Sequence, residues 1–413
     1  MSVTAVPMVG RDEDLATVDA AWRQLREEPQ HARIVVVTGD AGAGKSRLVA
    51  EAVARLDPAP GLVLSGQSRA VGPAPYDWMA SALSGRSLDG IDVPDDALAW
   101  LTQRPELPDR RFAPEALLRA GVDAVRAVQR GRPGVLVVED LHDLDPASLD
   151  LVSELAVAAD LPVLLMVTSR SATGLAARVL ARVSGTPRSV RRHLGPLAAT
   201  DVAAVVEAVL GAPATDAVVA AAHRRTGGNP YWLSELLATA PEALGGPPPA
   251  HLAALAADRV PADALRVARA AALLGEPVDT VALGRVCDDA EAGIDRLVAA
   301  GVLRVDVDGG MRFAYPVLAE GLAAGALPSL RTAVAREVGP AAPDDGLLTA
   351  REREVIRLLA AGMTNQQMAR ALGISIRTVT VHVSNLLRKT GAASRTEAAL
   401  WAVRHGLADR PAG

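Results

Sequence analysis

The sequence predicts a multidomain protein of mixed class, an α/β portion built on a parallel sheet followed by an all-α tail. Three observations carry this expectation. Up to about residue 195, short and continuously apolar runs alternate with amphipathic stretches. Residues 347–413 instead hold four closely punctuated helical patterns, and a chain of 413 residues exceeds what one hydrophobic core usually supports.

The runs Ile34–Thr38, Leu62–Ser65, Val135–Val138 and Val163–Thr168 are rich in β-branched residues and read as strands. A strand with one wet face alternates apolar and polar residues. These do not, so both faces must be covered, as crossover helices do in a parallel sheet. Residues 196–255 turn Ala-rich and helical and end in the cluster Gly245–Pro249, which suggests a helical lid. Over 256–332, two helical patterns precede Val302–Val307, the turn Asp308-Gly309-Gly310 and Met311–Tyr315, and helices followed by a hairpin suggest a winged helix. The segment GPAAPDDG at 339–346 lacks apolar periodicity and reads as linker. The expected divisions are therefore a core at 1–195, a lid at 196–255, a winged-helix-like domain at 256–332, a linker at 333–346 and a tail at 347–413.

Composition narrows the setting. Half the residues are apolar but only 2% are aromatic, so the cores should be aliphatic. Cys287 is the single cysteine, which excludes an intramolecular disulfide and a cysteine-based zinc site and fits a reducing, cytoplasmic setting. The opening MSVTAVPMVGRDEDL places acids where a secretory signal needs basic and then apolar residues. The most apolar stretch, Leu155–Val167, is interrupted by Asp160 and Pro162, so no membrane segment is expected. The net charge of −5 hides an asymmetry: residues 347–413 carry 10 Lys+Arg against 4 Asp+Glu, leaving −11 for the remainder. The tail is the part suited to a polyanion.

Gly39-Asp40-Ala41-Gly42-Ala43-Gly44-Lys45-Ser46 fits G-x-x-x-x-G-K-[ST], follows an apolar strand and precedes the helical pattern Arg47–Leu56. In such a P-loop the glycines let successive amides wrap a phosphate, the helix N-terminus adds its dipole, Lys45 reaches the β/γ oxygens and Ser46 ligates Mg²⁺. Arg47 follows in the first helical turn. ATP or ADP with Mg²⁺ is the expected cofactor. Downstream, Val135–Val138 ends in Glu139-Asp140, carboxylates at the C-terminal end of a buried strand, where open α/β sheets bind ligands. Glu139 would hold Mg²⁺ through water and Asp140 would orient the attacking water, although acids at a strand end also occur in ordinary loops.

One strand, Leu62–Ser65, separates the P-loop strand from the acidic strand, an arrangement that resembles the additional-strand class of P-loop ATPases. That class keeps a γ-phosphate sensor at the end of the next strand. Arg170 in Thr168-Ser169-Arg170 stands there, as a sensor candidate or as a solvated loop arginine. Val9-Gly10-Arg11-Asp12 and Gly227-Gly228-Asn229-Pro230 resemble segments of the STAND-type (AAA-like) regulatory ATPases. The resemblance implies that Val9, Arg11 and Pro230 surround the adenine; without it, each segment is a turn or a helix start.

In the tail, Thr349-x-x-Glu352, Thr364-x-x-Gln367 and Ser394-x-x-Glu397 are capping boxes, and Gly362, Gly373, Gly391 and Gly406 stand at plausible stops. They delimit helices at about 350–361, 365–372, 376–389 and 395–405, with Gly373-Ile374-Ser375 as the tight turn of a helix-turn-helix. Val379, Val383 and Leu386 should face the core. This leaves Thr380, Val381, Ser384, Asn385 and Arg388 outward for a major groove, with Thr364, Arg377, Thr378, His382, Lys389 and Arg395 at the flanks and ends for backbone contacts. A basic helical bundle can also be merely soluble. The run LLTAREREVIRLLAAGMTNQQMARALGISIRTVTVHVSNLLRKTGAASRTEA, however, resembles the LuxR-type (NarL/FixJ-like) helix-turn-helix along nearly its whole length. That resemblance implies binding to double-stranded promoter DNA as a homodimer through Thr396–Arg404, with RNA polymerase as a partner. Members usually carry a long basic residue where this chain has Thr380, which implies a different target sequence.

The two halves together resemble the large ATP-binding regulators of the LuxR family. Those regulators usually interpose a long helical-repeat sensor, whereas here only a short linker is expected, and the inducing signal is left unassigned. Histidine is common in the family where this chain has Tyr315, which implies either weaker retention of ADP or a half-buried tyrosine closing the wing. The expected function is an ATP-gated transcription regulator, by resemblance an activator, with slow turnover because a switch needs occupancy and not flux. Two alternatives stay open: a DNA binder whose P-loop is a nucleotide-independent scaffold, and an ATPase that remodels a protein partner.

Overall fold

The computed structural model describes residues 8–69, 72–88, 90–104, 112–239, 248–306, 309–338, 350–390, 392 and 394–404. Gly245 to Pro247, Asp308 of the expected wing turn, the stretch 339–346, Thr349, Gly391 and Gly406 lie outside them, as do the side chains of Arg388 and Thr396. The chain divides into two compact units, residues 1–252 with 315–317, and residues 253–314 with 318–413.

The first unit opens with α1 (Asp12–Glu27), β1 (Arg33–Gly39), α2 (Lys45–Arg55) and β2 (Val63–Gly66). After α3 (Asp77–Leu83), α4 (Asp95–Leu101) and α5 (Pro114–Gln129) come β3 (Gly134–Val138), α6 (Pro146–Val157), β4 (Val163–Ser169), α7 (Gly174–Ser184) and β5 (Ser189–Leu194). The five strands form one parallel sheet in the order β2-β3-β4-β1-β5. The parallel α/β expectation holds, and β4 is inserted between the P-loop strand and the acidic strand.

Both faces of the sheet are buried, which explains the continuous apolar runs. Val35 and Val37 of β1 pack with Leu15, Val18, Trp22 and Leu25 of α1 and Leu48 and Val49 of α2 on one face. Ile34 and Val36 point to the other face, into a core shared with Leu136, Val138, Leu165, Val167 and helices α3–α7. α6 begins at Pro146 behind Asp145, a buried cap whose carboxylate accepts from the Ser148 amide at 2.9 Å.

β5 was not evident from sequence. Its run SVRRHL bears the charges of an edge strand, with only Leu194 buried, because it pairs on one side only, with β1. Arg192 turns inward and sets its Nε 2.6 Å from Asp14 of α1.

The helical segment of the first unit contains α8 (Ala199–Leu210), α9 (Asp216–Thr226) and α10 (Pro230–Thr239), and α11 (Ala250–Asp258) follows. In the second unit α12 (Leu265–Leu274), α13 (Thr280–Val286) and α14 (Ala290–Ala299) precede an antiparallel hairpin of β6 (Leu303–Val305) and β7 (Met311–Phe313), the helices-then-hairpin order expected. Gly293 of α14 permits close packing, since a Cβ there would sit 2.6 Å from Val267 Cγ2 of α12. α15 (Pro316–Ala324) and α16 (Pro328–Val338) follow.

The tail forms α17 (Ala350–Ala360), α18 (Asn365–Leu372), α19 (Ile376–Thr390) and α20 (Arg395–Arg404), within a residue of the expected bounds. Val355, Ile356, Leu359, Met368, Val379, Leu386, Ala398 and Ala402 make its core, with Val383 half-buried against it. Gly373 adopts the left-handed conformation (φ +66°) that closes α18, and the Ile374 amide returns to the Ala369 carbonyl at 3.1 Å. The Thr364 capping box is complete, with its hydroxyl accepting from the Gln367 amide and Gln367 Oε1 accepting from the Thr364 amide.

Candidate nucleotide site and nucleic-acid interface

Parallel register brings the C-terminal ends of β1, β4 and β3 side by side: Thr38 is level with Ser169, and Val138 with Val167. Chain ends that are far apart in sequence therefore share one edge of the sheet. The loop 39–44 leaves β1 there and delivers the first turn of α2. Gly42 (φ +80°) and Gly44 (φ +91°) take left-handed conformations that a side chain would oppose. Lys45 is buried, and its Nζ donates to the carbonyls of Gly39 and Asp40, both at 3.0 Å. These two carbonyls offset the cost of burying its charge. Ser46 and Arg47 are exposed at the start of α2.

Gly42 has a second duty that the motif does not reveal. A Cβ there would stand 2.7 Å from Tyr231 Cβ and 2.8 Å from Asn229 Oδ1, so the segment at the start of α10, the expected lid, lies directly on the loop. Asn229, almost wholly buried, donates from Nδ2 to the Ala41 carbonyl at 2.9 Å and accepts the Tyr231 and Trp232 amides on Oδ1. The Tyr231 amide also lies 3.1 Å from the Gly42 carbonyl, and the Leu197 amide donates to the Gly228 carbonyl at 2.8 Å. The sequence pointed to Pro230 in this segment; the side chain that ties lid to loop is Asn229.

Beside the loop lies a cleft lined by Val9, Arg11, Gly44, Arg47 and Pro230 together with Met8, Leu197, Val205 and Leu233. Five of the sequence candidates thus converge, although Val9 and Pro230 are 221 residues apart in the chain. The wall is mainly aliphatic, as a flat heterocycle requires, with Arg11 and Arg47 as its cations. Arg11 donates to the Gly195 carbonyl at 2.7 Å and approaches the Ala43 carbonyl at 3.5 Å, which pins the segment before α1 against the end of β5. Burial pulls its guanidinium below the ordinary value, against Asp14 and Asp201.

At the end of β3, Glu139 is half-buried and Asp140 exposed, the latter in a left-handed conformation (φ +46°) with its amide donating to Thr168 Oγ1 at 2.9 Å. Arg170 follows β4 on the same edge. Among the described residues no group of three or more His, Cys, Asp or Glu side chains could hold a metal alone. The donor set still fits Mg²⁺ carried on phosphate oxygens, which needs few protein ligands; the Ser46 hydroxyl and one carboxylate such as Glu139 would serve. Tyr315 is half-buried; its hydroxyl donates to Asp40 Oδ2 at 3.3 Å, and its ring lies against Gly227.

In the tail, Thr380, Val381 and Ser384 form an exposed face of α19, with Val381 53% exposed, while Arg377 and Thr378 are exposed at its start. His382 and Asn385 are half-buried. Thr380 is less available to a base than its position suggests, because its hydroxyl donates to the Ile376 carbonyl and accepts from Asn365 Nδ2 at 3.3 Å. Lys389 departs from the expected phosphate contact. Its Nζ lies 2.7 Å from Oε2 of buried Glu352 on α17, an ion pair inside the domain. Arg395 is likewise turned inward, bonding Asn365 Oδ1 at 3.1 Å and the Met363 carbonyl. Sequence could not reveal these partners, because they lie on other helices or in the connection before α18.

Fold and edge geometry define a P-loop ATPase core, and the tail a helix-turn-helix. Comparison with known families agrees: residues 7–167 match the AAA ATPase domain, and residues 346–402 match the family of bacterial regulatory proteins of the luxR type. The chain therefore carries an N-terminal AAA ATPase domain and a C-terminal LuxR-family helix-turn-helix. Over 60 residues it is 52% identical to the uncharacterized transcriptional regulatory protein YhcZ of Bacillus subtilis, covering 14% of this chain and 28% of the relative. Over 61 residues it is 46% identical to the response regulator protein VraR of Staphylococcus aureus, covering 15% and 29%. The chain thus spans less than a third of the curated relatives it matches. A STAND protein with a tetratricopeptide repeat sensor from Pyrococcus horikoshii aligns at 14% identity and TM-score 0.38, over 97% of this chain and 56% of that one. The Aeropyrum pernix ORC1 protein in complex with DNA aligns at 16% identity and TM-score 0.43, over 81% and 95%. Likeness at these scores carries no weight for function.

Proposed function

We propose that the chain is an ATP-binding, sequence-specific regulator of transcription of the STAND type, acting in the cytoplasm. In this reading the nucleotide held by the first unit sets self-association and, through it, the promoter affinity of the tail. The observation that carries the reading is the direct bonding of lid to P-loop. Asn229 and Tyr231 hold the Ala41 and Gly42 peptides, so whatever occupies the loop acts on the lid at once.

Bound Mg·ATP would supply a polyanion for the loop amides and Lys45 to neutralise and a phosphoanhydride bond for slow cleavage. The chain's own groups divide the work. Gly39, Gly42 and Gly44 let the loop amides converge, and Lys45 turns from the Gly39 and Asp40 carbonyls toward phosphate. Ser46 and Glu139 hold Mg²⁺, Asp140 orients water, and Arg170 reads the terminal phosphate. Val9, Arg11, Arg47 and Pro230 enclose the base side. A ligand shifts the lid only through differential affinity for its two positions, and the bonds from Asn229 supply a place for that difference.

The tail contacts DNA through α19. Val381 and Ser384 meet base edges, Thr380 acts mainly through its methyl group, and Arg377, Thr378 and His382 meet the backbone, with Thr364 at the start of α18. Arg388 belongs to the same surface by sequence position. A homodimer would engage two half-sites about one helical turn apart and present them to RNA polymerase, as an activator does.

The test is selection of genomic fragments by the purified full chain with ATP, with ADP and with neither, at several salt concentrations. A paired-half-site sequence whose affinity falls steeply with salt and depends on the nucleotide supports the proposal. The same sequence at the same affinity in all three conditions makes the P-loop a scaffold. No DNA retained in any condition favours a protein-remodelling ATPase.

A further inference from the structure

After β3 the chain makes a single helical turn, Leu141–Asp143, with His142 at its centre. The His142 side chain is 8% exposed, while Arg170, which it touches, is 45% exposed. Arg170 Nε lies 2.5 Å from His142 Nε2. An arginine Nε always carries its hydrogen, so Nε2 must present a lone pair, and the proton of the neutral ring sits on Nδ1. Nδ1 in turn lies 3.4 Å from Oγ of Ser169, a fully buried residue whose own hydroxyl donates to the Arg170 carbonyl at 2.9 Å. The Arg170 amide also lies 3.5 Å from Nδ1, so the ring meets both the backbone and the side chain of Arg170.

Asp143 Oδ2 flanks this pair, 3.4 Å from His142 Nε2 and 3.8 Å from Arg170 Nη2, and Asp140 Oδ1 is 4.0 Å from Nδ1. Burial is the main influence on the imidazole and holds its pKa below the ordinary value. Asp143 and Asp140 oppose this, and Arg170 and Lys45 reinforce it. The contact with Ser169, which is level with Thr38 of β1, sets His142 at the sheet edge from which the P-loop leaves.

We infer that His142 is a positioning residue for the nucleotide site: its buried ring, anchored on Ser169, fixes the guanidinium of Arg170 at the end of β4 for discrimination of the terminal phosphate. The inference rests on the reading of Arg170 as the group that meets that phosphate. It adds a residue outside the P-loop and the acidic pair, and a reason for a half-exposed arginine to hold one orientation.

The test is the ratio of affinities of full-length protein for fluorescent ATP and ADP in excess Mg²⁺. Arg170→Ala is expected to lower that ratio roughly tenfold, as loss of one charge-assisted contact does. His142→Phe, which keeps a ring but has no lone pair, should reproduce the fall with ADP affinity unchanged. The double variant should fall no further than either single one. His142→Gln, whose Oε1 can accept from Arg170 Nε, should recover part of the ratio. A His142→Phe protein that melts earlier but keeps the wild-type ratio overturns the inference. An unchanged ratio in Arg170→Ala, which leaves the buried ring alone, overturns it equally. Wild-type protein that binds neither nucleotide sinks the site reading and the inference together, whereas wild-type binding that both variants leave untouched sinks the inference alone.

Discussion

The nucleotide edge and the helix-turn-helix tail are built on opposite plans. In the tail, caps, turn and core lie within about fifty residues of chain, and each helix is delimited by residues next to it, such as Thr364 with Gln367 or Gly373 with Ala369. At the nucleotide edge, the parallel strands bring the chain at Thr38, Glu139 and Arg170 to one side of the sheet, and Val9 and Pro230 line a cleft with Gly44 of the P-loop. Local construction makes a module that folds around its own core. Long-range construction makes a site that registers displacement of any contributor, which is what a switch requires.

The largest effect should separate the two regions. Leu386 is fully buried in the tail core, and Leu386→Ala is expected to cost that module about 3 kcal/mol through lost burial and the cavity left behind. DNA binding should then fail while nucleotide affinity stays at the wild-type level. A parallel loss of nucleotide affinity, read by fluorescent-nucleotide titration, would show that the two regions do not fold independently.

The next effect belongs to the nucleotide edge. Gly42→Ala would combine a left-handed backbone with a Cβ 2.7 Å from Tyr231 Cβ and should destabilise the loop–lid contact by about 2 kcal/mol. Limited proteolysis should cut within the lid more readily, and the melting temperature of the first unit should fall. A variant that resists proteolysis as the wild type does would mean that the lid is not held through Gly42.

The smallest effect concerns a long-range ion pair of the tail. Glu352→Gln removes the charge that pairs with Lys389 and should cost about 1–2 kcal/mol, since Lys389 is partly exposed and solvent screens the pair. Lys389 would then be released toward DNA, so nonspecific affinity should hold or rise as stability falls. Lower affinity at unchanged stability would place Glu352 in recognition instead.

The same contrast decides what the sequence disclosed. The strands buried on both faces, the P-loop and the four tail helices were legible because each is encoded by neighbours in sequence. β5 was not, because an edge strand bearing Arg191 and Arg192 lacks the apolar run that marks its neighbours. The convergence of Val9, Arg11 and Pro230 was anticipated only through family resemblance, and the role of Asn229 only became visible once its amide was seen on the Ala41 carbonyl. In the tail, the partners of Lys389 and Arg395 stayed hidden for the same reason: Glu352, Asn365 and Met363 lie on other helices or in the connection between them. Charge in a sequence names a type of contact and leaves the partner open.

The most direct test of the account is chromatin immunoprecipitation of the tagged full-length protein, wild type against Lys45→Ala, in the same cells. Discrete promoter peaks that weaken in the variant, at equal protein abundance, are the predicted result. Peaks of equal height in both would contradict nucleotide control of the tail and reduce the P-loop to a scaffold.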